Sequence, residues 1–283
     1  MKGRVCLVTD ATNGIGKAIA ADLAAQGATV LLHGRSREKA EETREELVAS
    51  TGNTDIHLLL ADFASLADVR ALAEQVRARE TGLHVLANNA GVLTDHRQTS
   101  ADGFELTFAV NHLAPFLLTQ LLLPVLKASA PSSISFNSSS AMGSAALDFD
   151  DLQMERRFDG WTAYANTKQM NFWTSNLLAD NLSGFNVVSN AYCPGLIDTD
   201  LLTGNRDFGA ARITRMRPQM RSAADGAITP IFLASSPDAD GINGAFFLKS
   251  HDSGRIPLAL DWEHAAATRL WDVSLDCVAN WLD

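Results

Sequence analysis

Seven short apolar runs alternate along this chain with longer stretches of helical periodicity, and this alternation constrains the fold more than any other feature. The predicted strands are 5–9, 29–33, 56–60, 85–88, 134–138, 186–191 and 245–248. The predicted helices are 14–26, 37–50, 66–80, 101–127, 162–183 and 223–234, followed by a final helix over 261–282. Strands that are apolar throughout are typical of a parallel sheet covered by helices on both faces. The sequence therefore predicts an α/β fold with one doubly wound parallel sheet of about seven strands.

Length and charge restrict the class of protein further. The chain has 283 residues and a formal net charge of −10, with 33 acidic against 23 basic side chains. This length suits a single domain over 1–283, with an N-terminal half of about 1–130 and a second half of about 131–283. The acidic balance argues against nucleic acid or an anionic membrane as the main partner.

Cysteine usage and apolar segments indicate the compartment. Cys6, Cys193 and Cys277 lie far apart and match no metal-binding spacing, so we expect free thiols in a reducing compartment and no metal. No secretory signal is predicted, because the first apolar run begins almost at once. The longest apolar stretch, 113–126, contains two prolines and predicts a buried helix instead of a membrane span. We therefore expect a soluble, cytoplasmic protein.

The stretch VTDATNGIG, residues 8–16, lies where the first strand passes into the first helix. Its glycines Gly14 and Gly16 open that helix, and a second strand follows about 20 residues later. Free backbone N–H groups and the helix dipole at such a start suit a pyrophosphate. An ordinary tight turn is the alternative. Asp10 stands where a third glycine is expected, which places a carboxylate beside an anionic ligand.

The second predicted strand ends in LLHGRSR. An acidic side chain that would bind a ribose 2′-hydroxyl is missing there, and Arg35 and Arg37 follow at once. Two guanidinium groups suit a 2′-phosphate, so the sequence favours NADP(H) over NAD. The alternative is that both arginines belong to a solvated helix start.

The stretch YANTK supplies Tyr164 and Lys168. Residues four apart lie on one face of a helix, so a phenol and an ammonium can share a site. A nearby cation favours the phenolate and lowers the tyrosine pKa, which suits general acid–base catalysis. The pattern alone is common and would also fit a surface pair.

Taken together, these segments resemble the short-chain dehydrogenase/reductase family along the whole chain. The matching stretches are TDATNGIG, ADFASL, NNAG, VNHLAPFLLTQLLL, SSS, YANTK and CPGLIDT. The stretches FDDL and LASSP, with the final helix, are most similar to the retinol dehydrogenase-like branch. The resemblance implies a Rossmann-type fold and an oxidoreductase that acts on CH–OH or C=O groups with NADP(H).

The resemblance also implies four catalytic residues, Asn111, Ser139, Tyr164 and Lys168. Tyr164 would exchange a proton with the substrate oxygen while a hydride moves to or from the nicotinamide. Ser139 would hydrogen-bond the same oxygen, and Lys168 would hold the nicotinamide ribose and favour ionisation of Tyr164. Asn111 would position a water that links Lys168 to solvent. Because three serines follow one another, Ser138 is the alternative to Ser139.

The same resemblance implies the cofactor contacts. Asp62 would contact the adenine, residues 89–91 would form the wall behind the adenosine, and Pro194, Gly195 and Thr199 would lie at the nicotinamide amide. The predicted cofactor-binding residues are Asp10, Thr12, Asn13, Gly14, Ile15, Gly16, Arg35, Arg37, Asp62, Phe63, Asn89, Ala90, Gly91, Tyr164, Lys168, Pro194, Gly195, Ile197 and Thr199.

The residues predicted to line the substrate pocket are apolar. The branch resemblance implies a lipophilic small-molecule substrate, and a homo-oligomer is compatible with the sequence. A polar segment with five arginines, 201–221, is predicted to be a lid. The side chains that would line an apolar pocket are Met142, Trp161, Leu196, Ile197, Leu201, Leu202, Phe208 and Met216.

Two positions depart from the family pattern. Asp10 replaces the first glycine, and Asn137 brings an amide into a strand position that is otherwise apolar in the family. Two charges about 4 Å apart repel by roughly 1 kcal/mol in bulk water and by about 4 kcal/mol at an effective dielectric of about 20, so we expect modest cofactor affinity. Asp10 also keeps open a fold of this kind with non-redox chemistry (a cyclase, isomerase or lyase) or a non-catalytic binding protein. The complete catalytic set favours an oxidoreductase that interconverts a ketone and a secondary alcohol.

Overall fold

Eight strands form one sheet in the computed structural model, which describes residues 1–79, 82–201, 214–248, 255–258 and 260–282. The strands are β1 (Val5–Val8), β2 (Thr29–Gly34), β3 (Ile56–Leu60), β4 (Val85–Asn88), β5 (Ser132–Asn137), β6 (Val187–Cys193), β7 (Phe246–Leu248) and β8 (Pro257–Leu258). They lie in the order β3-β2-β1-β4-β5-β6-β7-β8, and all neighbours are parallel except the antiparallel pair β7 and β8. The predicted single α/β domain with a parallel sheet is confirmed, with eight strands instead of seven.

The helices connect these strands. They are α1 (Gly14–Ala25), α2 (Arg37–Thr51), α3 (Leu66–Ala78), α4 (Leu106–Phe108), α5 (Ala114–Ala128), α6 (Gly160–Asn181), α7 (Ala223–Ser235) and α8 (His264–Val278). Side-chain caps fix the starts of six of them, including α1, α2 and α6. Asn13 accepts from the Gly14 N–H at α1, Ser36 from the Lys39 N–H at α2, and Asp159 from the Thr162 N–H at α6.

Neighbouring residues of one strand enter two different cores. Leu7 of β1 packs in a core with residues of α3, α5, α6 and α8, whereas Cys6 and Val8 pack in another with residues of α1, α2 and α7. Successive side chains of a strand point to opposite faces, so helices cover both faces of the sheet. This double coverage explains why most strand residues are apolar and buried.

The winding of the chain reverses at β1. Strands β2 and β3 lie on one side of β1, and β4 returns to its other side. The connections after β1 and β4 therefore diverge at the carboxyl edge of the sheet and open a crevice. In doubly wound sheets, ligands bind in this crevice.

Three local features differ from the sequence prediction. The predicted helix 101–127 begins only at Leu106, because the Glu105 carboxylate accepts from the N–H groups of Thr107 and Phe108. It then passes through a π-helical turn, Ala109–Leu113, which has no periodicity of its own that a sequence would reveal. The edge strand β8 has only two residues, both exposed, and starts with proline, so it carries no strand signal.

One helical stretch, Leu106–Ala128, is long and apolar enough to cross a membrane by length and composition. Within this stretch, 78% of the apolar window is buried inside the fold. It packs between the sheet and helices α3 and α6, where Phe116, Leu117 and Leu122 belong to the larger core. It is a core helix of this structure, as the sequence predicted.

His112 is a titratable side chain buried in the π-helical turn. It is 1% exposed and lies between the rings of Phe108 and Phe116, with centroids 5.6 and 5.9 Å away. Its Nε2 lies 2.8 Å from Oγ of Ser274 on α8, and the Ser274 hydroxyl donates to the Leu270 carbonyl. Nε2–H is therefore the donor to Ser274, and burial lowers the pKa of His112 to about 3.

We expect stability to fall as the pH falls, because unfolded His112 takes up a proton with a pKa of about 6.5 and the folded side chain does not. This contribution is complete above about pH 6.5 and is lost as the pH falls toward 3, the folded pKa. Between pH 7 and pH 5 the free energy of unfolding should fall by about 2 kcal/mol through this residue alone. Urea unfolding of the wild type and of His112→Phe measures it. The exposed His96→Gln is the control; if His112→Phe keeps the full wild-type pH dependence, His112 is not the responsible group.

Candidate active site

The turn between β1 and α1 brings the backbone very close to itself. A Cβ at Gly16 would lie 2.1 Å from the Asp10 carbonyl oxygen and 2.7 Å from Asn89 Nδ2. Only glycine fits there, so the start of α1 can pack directly on the turn. The free N–H groups of α1 face the crevice at the carboxyl edge, as the glycine pattern predicted.

Asp10 adopts a left-handed backbone conformation, with φ of 53°. A glycine has no Cβ penalty in this region, and aspartate is among the side chains that tolerate it. The Asp10 N–H donates to Nδ1 of the buried His33, and Nε2 of His33 donates to the Ala61 carbonyl, both at 3.1 Å. Burial lowers the pKa of His33 to about 4, so the neutral imidazole holds the turn. The turn therefore keeps the backbone conformation of a glycine turn, although residue 10 carries a carboxylate.

The Asp10 carboxyl lies at the rim of the crevice. Desolvation by nearby protein atoms raises its pKa, the Arg35 guanidinium opposes that shift, and the Asp200 carboxylate adds to it. Asp200 itself accepts from Nδ2 of Asn13, the residue that caps α1. The rim therefore carries two carboxylates, one near a cation and one tied to the helix cap.

The crevice is a cleft of about 640 Å³. Several predicted cofactor residues line it, together with others that the sequence did not indicate. Its lining residues are Asp10, Thr12, Asn13, Gly14, Ile15, Arg35, Ser36, Lys39, Asp62, Asn89, Gly91, Val92, Leu93, Asn137, Thr199, Asp200 and Leu201. Arg37 is not among them, and its guanidinium lies 3.6 Å from the Glu41 carboxylate on the exposed surface of α2.

Ser36 and Lys39 are the cleft residues at α2 that sequence reasoning missed. Ser36 caps the helix, and its hydroxyl oxygen accepts from the Lys39 N–H, so both lie at the first turn beside Arg35. A residue three positions after a helix cap returns to the same side of the helix, whereas the next residue points elsewhere. That periodicity was the available signal, and it favours Lys39 over Arg37.

Lys168 of α6 is buried at 1% exposure, and its ammonium donates to the Asn137 carbonyl oxygen at 2.9 Å. Burial lowers its pKa to about 8. Its Nζ lies 5.1 Å from the centre of the Tyr164 ring, so the two side chains share a site, as their spacing predicted. Around neutral pH the ammonium form still prevails.

Tyr164 lies one helical turn before Lys168 and is half-buried. Burial raises the pKa of its phenol, the neighbouring Cys193 adds to the rise, and a hydrogen bond with Ser139 opposes it. The hydroxyl of Ser138, by contrast, donates to the Lys168 carbonyl at 2.7 Å and is fully buried. Of the two serines, Ser139 is therefore the one whose side chain meets the phenol.

Asn111 lies in the π-helical turn with its side chain fully buried. Its Oδ1 accepts from the Val92 N–H, and its Nδ2 donates to the Val92 carbonyl and to Oγ1 of Thr167. A Cβ at Gly91 would lie 3.6 Å from both Asn111 Oδ1 and Lys168 Nζ. The four residues of the predicted catalytic set thus lie together beside the cleft.

The remaining predicted cofactor residues lie around this centre. Phe63 is buried and stacks on His33 with ring centroids 4.6 Å apart. It thereby fixes the imidazole that accepts from the Asp10 N–H in the turn before α1. The Ala90 N–H donates to Oγ1 of Thr9. Ile197 is buried, and Pro194 and Gly195 follow β6 at the carboxyl edge.

The predicted lid lies mostly outside the described residues, because these exclude 202–213. Its C-terminal end pairs with the stretch that follows β6: Arg221 forms a parallel bridge with Ile197, and the Arg221 N–H donates to the Leu196 carbonyl. Of the predicted apolar pocket, Leu202 and Phe208 are likewise outside the described residues. The Trp161 ring lies 5.9 Å from that of Tyr164.

Known proteins share both sequence and structure with this chain. A profile of the family described as short chain dehydrogenase matches residues 4–208. Retinol dehydrogenase 14 of Mus musculus is 38% identical over 97% of this chain and 85% of its own length. Dehydrogenase/reductase SDR family member 13 of Bos taurus is 37% identical over 97% of this chain and 73% of its own. A solved short chain dehydrogenase from Burkholderia cenocepacia J2315, in complex with NADP, covers 87% of this chain and 96% of its own, with a TM-score of 0.70 and 28% identity.

The chain therefore belongs to the short-chain dehydrogenase/reductase family, in its retinol dehydrogenase-like branch. Membership makes it an oxidoreductase of alcohol and carbonyl groups that works with a nicotinamide cofactor.

Asp10→Gly and Asp10→Asn should both tighten the binding of NADPH, because each removes a carboxylate from the rim of the cleft. Asparagine keeps the shape and tolerates the left-handed backbone, so it isolates the effect of charge. At an exposed rim, a repulsion of about 1 kcal/mol corresponds to about fivefold in Kd, and salt should diminish the gain. Fluorescence titration of the apoprotein with NADPH measures it. If Asp10→Asn binds NADPH no better than the wild type, the carboxylate stabilises the turn or the bound cofactor instead of repelling it.

Proposed function

We propose that this protein is an NADP(H)-dependent reductase or dehydrogenase that interconverts a ketone and a secondary alcohol of a lipophilic small molecule, with Tyr164 as the general acid/base. The convergence of Tyr164, Ser139 and Lys168 beside the cleft carries this proposal. One relative is named retinol dehydrogenase 14, after a lipophilic alcohol, which supports a lipophilic substrate. Cytoplasmic location and the absence of a membrane partner stay predictions from the sequence.

The cleft suits a dinucleotide. The start of α1 offers free N–H groups for the pyrophosphate, and Gly16 allows a backbone approach that any side chain would block. Asp62 and Asn89 line the end that would hold the adenosine, and Thr199 lies over Gly14, 3.2 Å from where its Cβ would be. When bound, a nicotinamide supplies or accepts the hydride.

Proton transfer falls to Tyr164. Burial keeps the phenol protonated at neutral pH, so in the reductive direction its O–H donates a proton to the carbonyl oxygen of the substrate. Ser139 can hydrogen-bond the same oxygen, and the adjacent Lys168 ammonium stabilises the phenolate that remains. In the oxidative direction the phenolate takes up the hydroxyl proton again.

The phosphate end of the cleft supports NADP(H). Arg35, Ser36 and Lys39 line it together, which offers two cations and a hydroxyl to a 2′-phosphate. No aspartate or glutamate stands directly after β2, where a 2′-hydroxyl would be bound. We expect Arg35 and Lys39 to hold the phosphate, whereas Arg37 faces Glu41 instead.

Tyr164→Phe should abolish turnover and leave NADPH binding near the wild-type value. Loss of general acid–base catalysis alone costs about 10²–10⁴-fold. The assay follows NADPH oxidation with a panel of apolar ketones, with Kd taken from fluorescence titration. The chain offers a matched control in its other tyrosine: Tyr192 is fully buried on β6 with a hydroxyl that has no partner among the described residues, so Tyr192→Phe should keep its activity.

If Tyr164→Phe retains more than about a tenth of kcat/KM, Tyr164 is not the proton donor. If the wild type shows no NADPH binding at all, the non-redox or non-catalytic alternative suggested by Asp10 takes the place of this proposal.

Arg35→Ala and Lys39→Ala should each weaken NADPH far more than NADH. A hydrogen bond to a charged group contributes about 1.5–3 kcal/mol, so about tenfold or more is expected for each. Arg37→Ala is the matched control. Arg37 lies on the same helix as Lys39, but its guanidinium faces Glu41 and does not line the cleft, so both affinities should stay unchanged. Titration with both cofactors decides: an equal loss for NADPH and NADH would show that these cations act through general charge.

A further inference from the structure

Asn137 ends β5 at the point where β5 separates from β4. The main-chain pairing of the two strands stops at Asn88 opposite Phe136, whereas the pairing of β5 with β6 continues through Asn137. Beyond the last pair, Nδ2 of Asn137 donates to the Asn89 carbonyl oxygen at 3.2 Å. A side-chain amide thus replaces the missing cross-strand bond, at the place where the crevice has to open.

The main chain of Asn137 holds the catalytic lysine. Its carbonyl oxygen accepts from Lys168 Nζ at 2.9 Å and from Asn171 Nδ2 at 3.3 Å. Among the described residues, the titratable groups that face the ammonium are Tyr164 on its own helix and Cys193 at the end of β6. The position of this carbonyl therefore determines where the ammonium lies.

The residue at the other end of the bridge forms the wall of the cleft. Asn89 lines the cleft, its N–H donates to Oγ1 of Thr9, and its Nδ2 donates to the Thr9 carbonyl. The same Nδ2 lies beside Gly16. Asn89 therefore joins the end of β4 to the turn that opens α1.

We infer that the Asn137 side chain is a positioning group that couples the cofactor wall to the catalytic ammonium. The side-chain amide of Asn137 donates to the Asn89 carbonyl, and the main-chain carbonyl of Asn137 accepts from Lys168. An apolar side chain could fill this position but could not donate across the gap. The inference rests on the proposed function, since it assigns the wall and the ammonium to one dinucleotide.

Replacing the amide should change cofactor binding and the pH profile together. Without the bridge, the end of β4 can move away from β5, and the Asn137 carbonyl loses its fixed place. The ammonium form of Lys168 is then less stabilised, so its pKa should fall below the wild-type value. Activity that needs the ammonium is lost as the pH rises through this pKa, so the alkaline limb of kcat should move to lower pH.

Asn137→Val fits a strand but cannot donate, and Asn137→Leu keeps nearly the shape of asparagine without a donor and without adding a charge. In both variants we expect the Kd for NADPH, measured by fluorescence titration of the apoprotein, to rise by about tenfold, and the alkaline limb of kcat to shift downward. The matched control is Asn190→Val. Asn190 is also a buried strand asparagine, bonded to the Ile242 carbonyl and the Ala245 N–H away from the cleft.

The control separates this role from a loss of packing. Asn190→Val should lower the melting temperature and leave the Kd and the pH limb as in the wild type. The inference is overturned if either Asn137 variant binds NADPH like the wild type with an unshifted limb, or if Asn190→Val reproduces both changes. A failure of the proposed function is recognised separately, because then the wild type itself neither binds nor oxidises NADPH.

Discussion

A buried ammonium held by one carbonyl oxygen is the interaction on which the site depends. Lys168 is 1% exposed, and a charge in such a place is costly unless a polar group compensates for the lost water. The Asn137 carbonyl provides this compensation only because β5 ends there and frees it from the ladder with β4. Burial in turn raises the pKa of Tyr164 and lowers that of Lys168, so the phenol stays protonated at neutral pH while the ammonium gives up its proton more readily than an exposed lysine does.

The crevice beside this ammonium follows from the topology of the sheet. Strands β1 and β4 are neighbours whose connections leave in opposite directions, so the carboxyl edge opens between them. Hydrogen bonds between Thr9, at the end of β1, and Asn89 hold the two sides at a fixed distance. A ligand that enters the crevice therefore meets rigid strand ends and the start of a helix, which lowers the cost of ordering the site on binding.

The sequence predicted the sheet and helix α6 well because both have strong local patterns. Tyr164 and Lys168 share a helix face by spacing alone, and the strands are continuous apolar runs. Sequence patterns could not show the π-helical turn around Asn111 or the two-residue strand β8, since neither has a period. Lys39 was missed because a residue pattern favoured the two arginines, and only the phase of α2 distinguishes Arg37 from Lys39.

In this cleft, the positions of the charged side chains affect cofactor binding more than their number does. Two cations, Arg35 and Lys39, and three carboxylates, Asp10, Asp62 and Asp200, belong to its described lining, in a chain with a net charge of −10. The overall field therefore repels an anionic dinucleotide, and binding relies on short contacts to local donors. Arg35 has two effects on this balance of charge. It stabilises the nearby Asp10 carboxylate, and it offers a cation at the phosphate end of the cleft. A 2′-phosphate at Arg35 would also meet the field of the Asp10 carboxylate, so Lys39, as the second cation, offsets part of that repulsion.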